Sequence, residues 1–86
     1  MNIEKEIEKY EQEIKEMKLT KGLNLNTKQV ATVVGTSPST IENWRKDGIG
    51  IEYIDVKSYG KKRSNRVFYP IKNVAKWMVL NQIKTA

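Results

Sequence analysis

Five apolar residues, Ile3, Ile7, Tyr10, Ile14 and Met17, recur at alternating spacings of four and three near the start of the chain. That spacing puts all five on one stripe and predicts an amphipathic helix over residues 3–19. Asn2 can cap its start, and Glu4 and Glu6 suit the positive end of its dipole. Glu11 and Lys15 add a favourable pair one turn apart. Thr20-Lys21-Gly22 ends the element. Such a helix spans about 25 Å, which is long for a small domain to cover. The stripe packs on the rest of the chain, pairs with a second copy as a short coiled coil, or meets another protein. It runs for barely more than two heptads, so all three readings stay open.

The same period returns at Thr27. Asn26 and Gln29 stand three apart in a capping-box pattern, Val30, Ala31 and Val34 are the inward positions, and Gly35 suits a left-handed terminus. Ala31 is small enough to let a following helix approach. Ser37 then caps a third helix with Pro38 in its first turn, and Ile41 and Trp44 are one turn apart on its buried face. Gly48 ends it. From there the period changes to two. Ile51 to Lys57 predicts a strand with Ile54 and Val56 inward, and Arg66 to Tyr69 a returning strand with Val67 and Tyr69 beside them. Ser58 to Asn65 is a polar loop around Gly60. Pro70 stops the strand, and Val74, Trp77 and Met78 mark the apolar face of a last helix over residues 71–83. Trp44 and Trp77 are read as core residues.

At 86 residues the chain supports one small domain with one modest core. It contains no cysteine and no histidine, which removes disulfides, thiolate metal sites and the commonest general base. No apolar run approaches a membrane span, and no signal-peptide pattern opens the chain, so a cytoplasmic location is expected. The net charge of +6 is unevenly spread. Residues 1–21 hold six glutamates and five lysines, whereas residues 22–86 hold eleven basic and four acidic side chains. The basic part, which attracts phosphate backbones, is the part with the paired helices. Lysine outnumbers arginine thirteen to three, and asparagine and isoleucine are frequent, which points to an AT-rich bacterial or phage genome.

Residues 25–48 therefore read as a helix-turn-helix, and the basic, glycine-containing run from Lys57 to Arg66 follows at the distance of a DNA-binding wing. From Leu25 to Met78 the chain resembles the winged helix-turn-helix domains of the excisionase and MerR-like superfamily. The matching residues are Leu25 to Ala31, Gly35, Ser37 to Ile41, Trp44 and Gly48, then Tyr69-Pro70, Val74 and Trp77-Met78. The resemblance implies a small α+β domain: a two-helix motif, a β-hairpin wing and a C-terminal helix. On that division residues 23–86 are the DNA-binding domain, and residues 1–22 are an added N-terminal amphipathic helix without a family counterpart.

In that family the second helix of the motif enters the major groove and the wing lies along the backbone or minor groove. Carried over, Ser37, Ser39 and Thr40 would bind phosphate through hydroxyls and free N–H groups. Asn43 and Arg45 would reach base edges, with Glu42 and Lys46 on the same outer face. Lys57, Lys61, Lys62, Arg63 and Arg66 would touch DNA from the wing. Glu42 departs from the basic residue often found there and could accept from cytosine. Phe68 departs from a frequent arginine, and alternation points it outward, toward DNA or a protein interface.

No nucleophile–base pair, phosphate-cradling glycine loop or metal-ligand spacing occurs, so an enzyme, a cofactor and a small-molecule ligand are not expected. The expected function is sequence-specific binding of double-stranded DNA by a small regulator or architectural recombination factor of a phage, plasmid or other mobile element. The alternative is a protein-interaction adaptor on the same fold, like a terminase small subunit or a partition protein. Self-association would run through Ile3, Ile7, Tyr10, Ile14 and Met17.

Overall fold

A computed structural model describes residues 2–57 and 65–81. Within them the order of elements is α1 (Ile3–Glu16), β1 (Asn24–Leu25), α2 (Thr27–Val34), α3 (Pro38–Lys46), β2 (Ile54–Lys57), β3 (Asn65–Pro70) and α4 (Ile71–Leu80). The described residues thus form a small α+β fold with four helices and one three-stranded antiparallel sheet, in the order β1-β3-β2.

The helix starts are chemically determined. The Asn2 side chain accepts a hydrogen bond from Lys5 N at 3.3 Å and opens α1. At α2 both halves of the capping box form: Asn26 Oδ1 accepts from Gln29 N at 2.7 Å, and Gln29 Oε1 accepts from Asn26 N at 2.9 Å. Gln29 also donates through Nε2 to the Leu19 carbonyl, which ties the chain leaving α1 to the start of α2. Gly35, at φ +88°, ends α2 with its N–H on the Ala31 carbonyl. Ser37 caps α3, and Pro38 occupies its first turn.

α1 is shorter than its apolar pattern predicts. It ends at Glu16, with Met17 as C-cap and Lys18 at φ +56°. The reversal frees Leu19 to turn back and pack against the core. Of the predicted stripe, Ile14 is buried and Ile7 and Tyr10 pack partly covered beside it, while Ile3 and Met17 at the two ends stay exposed. The helix lies against α4 of its own chain. The predicted Glu11–Lys15 pair forms, at 3.8 Å.

The core collects Ile14, Leu25, Val30, Ala31, Ile41, Ile51, Tyr69, Ile71, Val74 and Ala75, drawn from every helix, from β1 and β3, and, for Ile51, from the connection before β2. Val34, Trp44, Trp77 and Met78 pack against it only partly buried. The two tryptophans meet with ring centroids 5.3 Å apart and join α3 to α4. Gly50 makes room for this contact. Its φ is +89°, and a Cβ there would stand 3.0 Å from Trp44 Cβ.

The sheet departs from expectation in its phase. The alternation predicts Ile54 and Val56 inward beside Val67 and Tyr69, but the register pairs Ile54 with Phe68 and Asp55 with Val67. Directly opposed residues project to the same face. Tyr69 is 1% exposed and lies opposite buried Leu25, so Phe68 and Ile54 share the other face, and Ile54 is 47% exposed. The physical reason lies just upstream. Ile51 is buried and Tyr53 stacks beside Tyr69, so the inward phase runs through odd-numbered positions and excludes Ile54. The short β1 has no counterpart among the predicted elements. It completes the sheet by pairing with the end of β3, and Ile71 N donates to the Leu23 carbonyl at 2.8 Å beside it. α4 ends at Leu80 with Asn81 as its C-cap, before the predicted end, and residues 82–83 of the predicted span lie outside the described residues.

Candidate nucleic-acid interface

α3 carries most of the predicted contacts, and three features fix its position. Ile41 is buried under it, Trp44 leans on Trp77, and the connection Gly35–Ser37 sets it close after α2. The side turned away from these contacts carries Ser37, Ser39, Glu42, Asn43 and Lys46, all exposed. Thr40 is half-covered. Arg45 and Lys46 lie in the last turn, where cations favour the helix dipole.

The first turn of α3 offers fewer free donors than expected. Ser37 Oγ accepts from Thr40 N at 3.2 Å, and the two hydroxyls, Ser37 Oγ and Thr40 Oγ1, lie 2.9 Å apart. Pro38 has no N–H. The hydroxyls of Ser37 and Thr40 are therefore already engaged in capping, and a phosphate would share them or displace that contact.

Arg45 is placed differently from its expected role. It is half-buried and turns back onto its own chain. Nη1 donates to Tyr69 Oη at 3.0 Å and to Thr27 Oγ1 at 3.4 Å, and Cζ stands 6.0 Å from the centroid of the Tyr53 ring. Thr27, Tyr53 and Tyr69 are the residues that sequence reasoning missed here. A basic residue beside a partly buried tryptophan, on a helix followed by several tyrosines, is the available signal.

Seven residues separate α3 from β2, and the chain crosses them through the turn at Gly48 to Gly50. Asn73 Nδ2 donates to the Glu52 carbonyl at 3.3 Å and pins this approach to α4. Lys57 and Arg66 sit on β2 and β3 one register position apart, Lys57 opposite Asn65 and Arg66 opposite Val56. The predicted wing residues Lys61, Lys62 and Arg63 lie outside the described residues.

Among the described residues, no group of three or more His, Cys, Asp or Glu is placed to hold a metal ion. No helix among them is long and apolar enough to cross a membrane. No buried side-chain nitrogen or oxygen among them lacks a hydrogen-bond partner. Compared with known proteins, the chain matches no protein-family model, no curated protein sequence and no solved structure.

Proposed function

We propose that the protein binds double-stranded DNA sequence-specifically, as a winged helix-turn-helix of the excisionase and MerR-like kind. One observation carries this reading. Two capped helices follow each other across three residues, the outer side of the second is polar and exposed, and a β-hairpin comes next. That arrangement sits in the part of the chain that holds eleven of its sixteen basic residues. α3 would lie in the major groove, with Asn43 and Lys46 toward base edges, Glu42 accepting from cytosine, and Ser37, Ser39 and Thr40 toward phosphate. The hairpin, with Lys57, Lys61, Lys62, Arg63 and Arg66, would neutralise the neighbouring backbone.

The protein would act by occupancy rather than by catalysis, in the cytoplasm, as a regulator or architectural recombination factor of a mobile element. A lone domain of this size covers few base pairs, so the proposal includes two copies on adjacent half-sites. Because Ile7, Tyr10 and Ile14 of α1 pack on their own chain, the free protein is proposed as a monomer.

A second reading, a protein-interaction adaptor, is favoured by one observation: Ile54 is exposed opposite Phe68 on the outer face of the hairpin. Mixed genomic duplex at low salt separates the two. A DNA-binding protein retains it with an affinity that falls as salt rises, and an adaptor does not bind it. Selection of bound fragments from random DNA would then identify the operator.

A further inference from the structure

We propose that Arg45 is a positioning residue that locks the β2–β3 hairpin against the α2–α3 pair, acting through Tyr69 rather than through a base. This role presupposes the DNA-binding reading above and adds how its two contact surfaces are held in one geometry. Viewed from sequence, Arg45 belongs with the base readers. In the fold its Nη1 donates to Tyr69 Oη and Thr27 Oγ1, and its Cζ lies over the Tyr53 ring. Tyr53 and Tyr69 stand with ring centroids 5.9 Å apart. A single guanidinium thus touches the start of α2, the run into β2, and β3, from its own place on α3.

Arginine suits this post. Its charge is permanent, its planar fork offers several donors in a fixed geometry, and it stacks on aromatic faces. A hydrogen bond from a charged donor is also stronger than a neutral one. The base of the hairpin is held by the pairing of β1 with the end of β3 and by the hydrogen bond from Asn73 to the Glu52 carbonyl, and Arg45 adds the tie to α3. Tyr69 is its buried anchor and Val67 is half-covered, but the position opposite Val67 is the exposed Asp55 rather than an apolar residue. Glu42, Asn43 and Lys46 lie within one turn of Arg45 on α3. A tilt of the hairpin would therefore separate its phosphate contacts from the residues facing the bases.

Tyr69 provides the test, because a side chain 1% exposed cannot itself reach DNA. Affinities of the intact chain, Arg45→Met, Tyr69→Phe and the double variant are measured on two probes. One probe is a random-sequence duplex pool; the other is the duplex that the unmodified chain selects from it. Each single variant should lose about tenfold on both probes, and the double variant no more than either single one. Arg45→Lys should not restore binding, since lysine lacks the fork. Tyr69→Phe keeps the ring, and thermal melting checks that each variant is folded. Wild-type binding by Tyr69→Phe, losses that multiply in the double variant, or an Arg45→Met loss confined to the selected duplex would overturn the role.

If the intact chain binds neither probe, the DNA reading fails separately. The interlock is then judged in the free protein by residual dipolar couplings between α3 and the hairpin. The same change of orientation in both single variants supports it, and an unchanged orientation refutes it.

Discussion

The α2–α3 pair closes on itself within a few residues of chain, whereas the hairpin beside it depends on partners far away in sequence. Every terminus of the helix pair is set locally: Asn26 with Gln29, Gly35 with Ala31, Ser37 with Thr40, and Asp47 with Asn43. Val30, Ala31 and Ile41 then bury one common face. Among the described residues the hairpin shows no such self-contained core. Its buried anchor is Tyr69, its outer face exposes Ile54, and side chains of α3 and α4 tie it and the run leading into it to the helices. The helix pair is therefore held more locally than the described strands beside it, and local unfolding should begin in those strands.

The largest effect should come from the helix pair. Ile41→Ala removes a side chain 1% exposed between α3 and the core and should cost about 2–5 kcal/mol of stability. Chemical denaturation measures it, and a drop under about 1 kcal/mol would show that the pair is not the more firmly held part. Next comes the junction between the two regions. Gly50→Ala combines a φ of +89° with a Cβ 3.0 Å from Trp44 Cβ, so strain and overpacking add. About 2–4 kcal/mol is expected. Gly35→Ala shares the positive φ, but no atom lies within 4 Å of the added carbon. It should cost only about 1–2 kcal/mol, all of it backbone strain. Equal effects at the two glycines would mean that the Trp44 contact is easily relieved.

The smallest effect belongs to the hairpin. Ile54→Thr replaces a 47% exposed residue with another β-branched one and should change stability by less than about 0.5 kcal/mol. Under the expected inward placement the same change would cost several times more. Thermal melting distinguishes the two.

The same contrast explains what was legible in the sequence. Helix termini depend on partners three or four residues away, so Asn26-Gln29, Gly35 and Ser37-Pro38 could be read one by one. Strand phase depends on register with a distant strand. Ile54 and Val56 look inward because they are apolar and two apart, yet Ile51 already takes the core phase. β1 has two residues and no alternation of its own, so no local pattern marks it. The end of α1 is overrun in the sequence reading because Met17 continues the apolar spacing, although Lys18 adopts a positive φ one residue later. For the candidate interface, the outer face of α3 was legible from helical spacing alone. The inward turn of Arg45 was not, because Thr27, Tyr53 and Tyr69 come together only in the folded chain.

A joint grip of the helix pair and the hairpin on duplex DNA is proposed. It is tested most directly by the salt dependence of binding to a mixed duplex, for the intact chain and for a variant with Lys61, Lys62 and Arg63 changed to alanine. The intact chain should bind at low salt with a steep negative log–log slope, which flattens in the variant by about 0.9 for each phosphate that is no longer neutralised. No retention of duplex by the intact chain at low salt would overturn DNA binding outright, and an unchanged slope in the variant would remove Lys61, Lys62 and Arg63 from the interface.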